Sequence, residues 1–215
     1  MPKHLCSLPA LGRQRFAPKL EKDEVVALDG KTSRRSGKLD GTPLHLVSAF
    51  AAGACLVLGQ RATAAKSNEK TAIPELLATL ALEGCIVTLD AMGTQPSIAQ
   101  AIWERGADYI LLLRGNQPTL AESVQDFFAA FQADPDETLH RFDEVVEKGH
   151  GRLEVRRCYA FGQLDCLYAP ERWPNLKSFV VIASERMIDG KTMLEHRFYI
   201  SSLLADAARL NRAVR

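Results

Sequence analysis

The chain has 215 residues, 47% hydrophobic and 25% charged, with a formal net charge of +1. That is enough apolar material for one large core, and it excludes a global basic field that would hold a polyanion without local basic patches. No run approaches the roughly 18 apolar residues of a membrane span, residues 1–22 lack the apolar stretch of a secretory signal, and the five scattered cysteines (Cys6, Cys55, Cys85, Cys158, Cys166) contain no C-x-x-C and read as buried thiols of a reducing cytoplasm.

Residues 1–22 form a proline-containing leader without clear periodicity. Val25–Asp29 (VVALD) is a short, continuous apolar run that predicts a strand buried on both faces. Gly30–Gly41 holds Lys31, Arg34, Arg35 and Lys38 among Gly, Ser and Thr, and reads as a mobile basic loop. Leu44–Ala52 and Cys55–Ala62 are two further β-like runs with Gly53-Ala54 between them, as in a hairpin. The spacing of Ile73, Leu76, Leu77 and Leu80 predicts a helix over 70–83, stopped by Gly84. Cys85–Leu89 returns as a strand ending at Asp90. A helix over 96–105 and a fifth strand over Asp108–Leu113 follow.

The turn Gly115-Asn116-Gln117-Pro118 leads into an amphipathic helix over 119–133. From Leu139 to Ser201 charged residues alternate with β-branched and aromatic ones, and Asp189-Gly190 marks a hairpin. A last helix begins near Ala205. The organisation predicted is a leader over 1–22, a core over 23–134, a β-rich antiparallel insertion over 135–204 and the start of a C-terminal helix over 205–215.

Three antiparallel strands followed by two crossover connections define an α/β, ribonuclease H-like mixed sheet, with the first strand beside the fourth. Asp29 and Asp90 would then be neighbours. A buried-strand carboxylate is costly unless it is paired or binds a metal. Two short carboxylates fixed by strand backbone suit divalent cations that prefer hard oxygen ligands, as in phosphodiester cleavage. The alternative is that each aspartate only terminates its strand, as Asp does in many turns. Lys31, Arg34 and Arg35 could neutralise a nucleic-acid backbone or form a solvated loop. Arg114, Asn116 and Gln117 could contact DNA phosphate, or cap the following helix. Of the tryptophans, either could stack on bases, with Trp103 reading as core on its amphipathic helix.

The segments VVALDGKTSRRS, GTPLHLVSAF, KSNEKTAIPELL, IVTLDAMGTQ, YILLLRGNQPTL, KGHGRLEVRR and HRFYISSL, in this order, resemble the DDE-type transposases of bacterial insertion sequences, specifically the H-repeat-associated group. The resemblance implies a ribonuclease H-like fold, Mg²⁺ (or Mn²⁺), and cleavage and strand transfer of DNA at transposon ends and target by a homodimer or higher assembly. It implies a cytoplasmic protein, nucleoid-associated on DNA, with Asp29 and Asp90 as the first two catalytic acids. His150 and Arg152 fall in a matching segment and are expected near DNA. The family's third acid is a glutamate of an HWxIEN-type motif, in a helix beyond the segment matching Asp206–Arg215. The chain therefore reads as a piece truncated at both ends, either a transposase or an inactive remnant that binds DNA or co-assembles without cutting. Glu154 is the alternative third acid, with an ion pair to Arg152 or Arg156 as its competing role.

Overall fold

A computed structural model describes residues 20–33, 44–63, 69–149, 152–188 and 191–214. Three antiparallel strands come first: β1 (Val25–Ser33), β2 (Leu44–Ala51) and β3 (Leu56–Thr63). Helix α1 (Glu69–Leu77) leads to β4 (Ile86–Leu89), and α2 (Pro96–Trp103) to β5 (Asp108–Leu113). Helix α3 (Pro118–Ala133) precedes four long strands, β6 (His140–Gly149), β7 (Arg152–Phe161), β8 (Ser178–Ile188) and β9 (Lys191–Ser201), and α4 (Ala207–Ala213) follows them.

All nine strands join one mixed sheet in the order β3-β2-β1-β4-β5-β9-β8-β7-β6. The parallel pairs β1–β4 and β4–β5 form its centre, as expected of a ribonuclease H-like arrangement. The β-rich segment does not stand apart. Strand β9 pairs antiparallel with β5 (Leu113 opposite Phe198), so β6–β9 continue the same sheet as a wing. Because β9 runs opposite to β5, residues Lys191–Arg197 project past the end of β5 on the edge where β4 and β5 also end.

Alternation along the strands sorts the core into two layers. Val26, Leu28, Val87, Leu89, Tyr109 and Leu111 face α1, α2 and α3, whose Ile73, Leu77, Ile98, Ile102, Val124 and Phe128 are buried against them. On the opposite face Ile86, Ile110, Cys158, Val180 and Ile182 pack with Ala207, Leu210 and Ala213 of α4. That helix is capped by Asp206, which accepts from Arg209 N at 3.0 Å, and tied down by Asn211 donating to Asp143 (2.8 Å) and Arg209 pairing with Asp23 (2.6 Å).

Several boundaries differ from the sequence reading. Strand β1 continues past Asp29 to Ser33 because β2 supplies pairing partners as far as Ser33 opposite Leu44. Lys31 is therefore a strand residue, while 34–43 lies outside the described residues. The β2–β3 connection spans 52–55, with Cys55 at φ 51. Helix α1 ends at Leu77 rather than near Glu83. Beyond it the bonds tighten to i→i+3, with Thr79 N on Leu76 O and Leu80 N on Leu77 O, and the Thr79 hydroxyl takes Leu76 O as well. This tighter turn brings Leu82 back into the core before Gly84 reverses the chain at φ 75. Asp189-Gly190 lies outside the described residues, between the paired Ile188 and Lys191.

The tryptophans reverse the expectation. Trp103 is 41% exposed at the end of α2, whereas Trp173 is only 4% exposed in the main core and has no face free for a base.

Candidate active site

Strands β1 and β4 run in parallel register up to Leu28 opposite Leu89. Asp29 and Asp90 are the next residue on each. The strands part there: β4 ends, and β1 runs on with β2 alone. Leu28 and Leu89 point into the three-helix layer, so alternation sends both aspartates to the opposite face. Paired strands lie about 4.8 Å apart, which sets the separation of the two backbones at the last paired row, Leu28 and Leu89.

The two carboxylates are held differently. Asp90 Oδ1 accepts from Met92 N at 3.1 Å and Gly93 N at 3.4 Å, capping a 3-10 turn over Ala91–Gly93. Asp29 Oδ2 lies 3.4 Å from Lys31 Nζ, two residues on along the same face, and both side chains are exposed. An exposed pair of this kind contributes about 0–1 kcal/mol, so a divalent ion could displace the lysine at little cost.

The turn after Asp90 is lashed to the turn after β5. Thr94, fully buried, donates its hydroxyl proton between Leu112 O (2.7 Å) and Asp90 O (3.2 Å). Asn116 Nδ2 donates to Ala91 O and to Thr94 O, the latter at 3.0 Å, and Gln117 Nε2 donates to Thr94 O at 3.2 Å. Asn116 and Gln117 thus spend amide protons on positioning the Asp90 turn. Neither caps α3 with its side chain; Pro118 at the first position starts that helix. Gly93 lies under this strap, where a Cβ would collide with Leu89 Cδ2 and meet Ile73 Cδ1 at 3.3 Å. Beside it, a cleft of about 720 Å³ opens between the end of β5, α3 and β9, lined by Arg114, Gly115, Glu122, Gln125, His196 and Arg197 among others.

Glu154 does not join the aspartates. It lies on β7, four strands across from β4 and six residues further along the sheet than Asp90, on the order of 28 Å between backbones at strand spacing and rise. It pairs with Arg186, directly opposite on β8, with Arg186 Nε 3.3 Å from Glu154 Oε2. The sequence could not reveal this, because the displacement follows from β9 and β8 intervening between β5 and β7. Among the described residues no group of three His, Cys, Asp or Glu side chains is arranged to hold a metal.

Arg114 is exposed one step past the end of β5. Arg152 starts β7, opposite Gly149 and Ile188 near the tip of the wing. Arg34, Arg35 and His150 lie outside the described residues. The sequence reading passed over Thr94, Arg186, Glu195 and Arg197. The last two could have been found from alternation, since Glu195 and Arg197 stand two apart in a strand-like run and must share a face.

A nine-stranded mixed sheet centred on the parallel strands β1, β4 and β5, with helices packed on it, is consistent with a ribonuclease H-like transposase fold. Comparison with known proteins agrees: the model of the transposase DDE domain matches residues 20–188. The chain belongs to this DDE-type transposase family. It is 40% identical over 184 residues to an uncharacterized protein in the dhlA 3′ region of Xanthobacter autotrophicus, covering 85% of this chain and 61% of that protein. To the "H repeat-associated putative transposase YhhI" of Escherichia coli K12 it is 38% identical over 200 residues, covering 89% of this chain and 52% of the relative. The chain thus spans about half to three-fifths of the length of these curated relatives. No helix among the described residues is long and apolar enough to cross a membrane.

Proposed function

We propose that Asp29 and Asp90 hold a divalent cation, Mg²⁺ or Mn²⁺, and that the whole protein uses them to cleave DNA and transfer the cut strand during transposition of an insertion sequence. The observation that supports this reading is the register: Leu28 pairs with Leu89 on neighbouring parallel strands, and Asp29 and Asp90 are the residues that follow them. The donor set fits, since both groups supply hard oxygen ligands and Mg²⁺ usually keeps several waters alongside one or two carboxylates. When bound, such an ion stabilises charge on the phosphoryl and leaving oxygens. The chain's own part is to fix the ligands: strand pairing sets Asp29, and the amides of Met92 and Gly93 orient Asp90.

The distance of Glu154 from the pair favours a second reading. On that reading, with no third carboxylate beside the pair among the described residues, this chain binds DNA or co-assembles with an intact copy rather than cutting by itself. Both readings are tested by measuring Mn²⁺ binding and Mg²⁺-dependent nicking of duplex DNA by the purified chain and by Asp29→Asn and Asp90→Asn. Mn²⁺ binding lost in either variant supports the metal pair, and unchanged binding in both overturns it. Robust strand joining by the 215-residue chain overturns the second reading.

A further inference from the structure

Above the level of the two aspartates, the face of the wing that they share changes from apolar to charged. Cross-strand pairing places Cys158, Ile182 and Arg197 in one row, Arg156, Ser184 and Glu195 in the next, and Glu154, Arg186 and Met193 in the row above. The first row is largely covered by α4 packing on Cys158 and Ile182. Arg197, Arg186 and Lys191 lie beyond that cover, and Arg114 stands one step past Leu113, which pairs with Phe198.

Within this group Arg197 grips Glu195 with two bonds, Nε to Oε1 at 2.9 Å and Nη2 to Oε2 at 3.2 Å. This is the fork geometry by which arginine also takes a phosphate. Strand spacing and rise put Arg114 about 8 Å, Arg197 about 12 Å and Arg186 roughly 25 Å from Asp90, measured between backbones. The line leaves the aspartates obliquely along one face of the sheet.

We propose that Arg114, Arg197 and Arg186 form a binding track for the phosphate backbone of duplex DNA leading away from the Asp29–Asp90 edge, and that Glu195 occupies its central phosphate position as an internal mimic that weakens binding. The occupant follows from charge and length. The track carries the Arg197 fork on Glu195, Arg186 paired with Glu154 and the exposed Arg114, and its span of roughly 25 Å matches several phosphates of a strand that rises 3.4 Å per residue. The Arg197 hydrogen bonds, with the charges of Arg197, Arg186 and Arg114 behind them, hold the Glu195 carboxyl below the usual carboxylate range, so the seat already favours an anion. Glu195 and Arg197 are about half exposed, so DNA can replace one anion by another without unfolding the wing. The inference rests on the reading that the chain acts on DNA.

The test is fluorescence anisotropy of the full chain on a short labelled duplex, repeated between about 50 and 200 mM salt. Arg197→Ala and Arg186→Ala are each expected to weaken binding roughly three- to tenfold and to lower the salt slope by about one. Glu195→Gln, which removes the competing charge, is expected to tighten binding severalfold, a gain that a poorly folded variant would not produce. Lys148→Ala, by alternation on the other face of the wing, serves as the control. Binding that ignores both arginine changes and Glu195→Gln overturns the track while leaving the DNA reading intact. Stronger binding to single-stranded DNA or RNA than to duplex overturns the choice of occupant. No measurable nucleic-acid binding by the unaltered chain overturns both the track and the DNA reading.

Discussion

Asn116→Ala tests whether the strap across the sheet edge sets the Asp90 carboxylate. The change removes two donors, to Ala91 O and Thr94 O, and leaves Gln117 as the remaining side chain on Thr94 O. A net hydrogen bond is worth about 0.5–1.5 kcal/mol, and water reaches this exposed turn, so the loss should total about 1–2 kcal/mol. For a chain of this size that lowers Tm by about 2–8 °C. The larger consequence is local. Ala91 opens the turn whose next two amides, of Met92 and Gly93, hold Asp90 Oδ1, so releasing Ala91 O lets the carboxylate wander. Groups that orient metal ligands typically contribute 10–100-fold to affinity; because Asn116 acts through an intervening turn, the lower end, about tenfold, is expected.

The assay is Mn²⁺ titration followed by the paramagnetic resonance of free aquo-ion, with thermal melts in parallel. Gln117→Ala, losing a single bond of 3.2 Å, should show a smaller effect of the same kind. Asn116→Asp keeps the shape but turns carboxylate oxygens towards two carbonyls, and should be at least as damaging as alanine. Wild-type Mn²⁺ affinity in Asn116→Ala, alongside lost affinity in Asp90→Asn, would refute the positioning role. Metal affinity unaffected by either change would instead remove the metal site itself.

Three further outcomes follow from packing and burial. Gly93→Ala forces a Cβ against the buried Leu89 side chain and should destabilise by about 1–3 kcal/mol, read as a fall in denaturation midpoint; an unchanged midpoint would mean the turn relaxes freely. Tyr109→Phe removes a 2.8 Å bond to Pro174 O from a fully buried side chain, and should cost about 1–3 kcal/mol by leaving that carbonyl unpaired. Burial, reinforced by the charge of Asp143, pushes the Cys158 thiol up to about 12. Since the thiolate is the reactive form, alkylation at pH 8 followed by mass spectrometry should mark exposed Cys55 and spare Cys158. The sign of the linkage is that of a raised pKa: the fold holds the neutral thiol, so this contribution is complete below about pH 9 and is lost as pH climbs towards 12.

The central strands were legible because their signal is local. Val25–Leu28, Ile86–Leu89 and Asp108–Leu113 are short apolar runs between turn residues, and the helical periods between them imply crossovers. The pairing of β1 with β4, the strands that lead into Asp29 and Asp90, then followed from topology alone. What stayed hidden depends on partners distant in sequence. Nothing in HRFYIS states that β9, rather than β6, pairs with β5, yet that pairing carries Glu154 four strands away from Asp90. Asn116 looked like a capping or DNA-contacting residue because its partners, Ala91 and Thr94, lie in another turn. Trp173, in a loop of weak periodicity, gave no sign of its burial, and the amphipathic pattern of α2 could not show that its final residue, Trp103, clears the core.

The wing joins two energetic regimes on the same four strands, and the boundary between them separates fold from binding. In the lower rows Cys158, Ala160, Val180 and Ile182 are buried beneath α4, so truncating one should cost a few kcal/mol and loosen the whole extension. Outside the cover of α4, Arg186, Glu195 and Arg197 are half exposed and pair with one another or with Glu154, a setting in which losing one partner costs about 0–1 kcal/mol. Charge can therefore be rearranged there with little consequence for folding. Ile182→Ala should lower stability and DNA binding together, because the track rests on that layer, whereas Arg197→Ala should lower binding with the melting curve nearly unmoved. A melting curve that falls as far for Arg197→Ala as for Ile182→Ala would show that this charged group is part of the core scaffold and not a surface free to exchange Glu195 for phosphate.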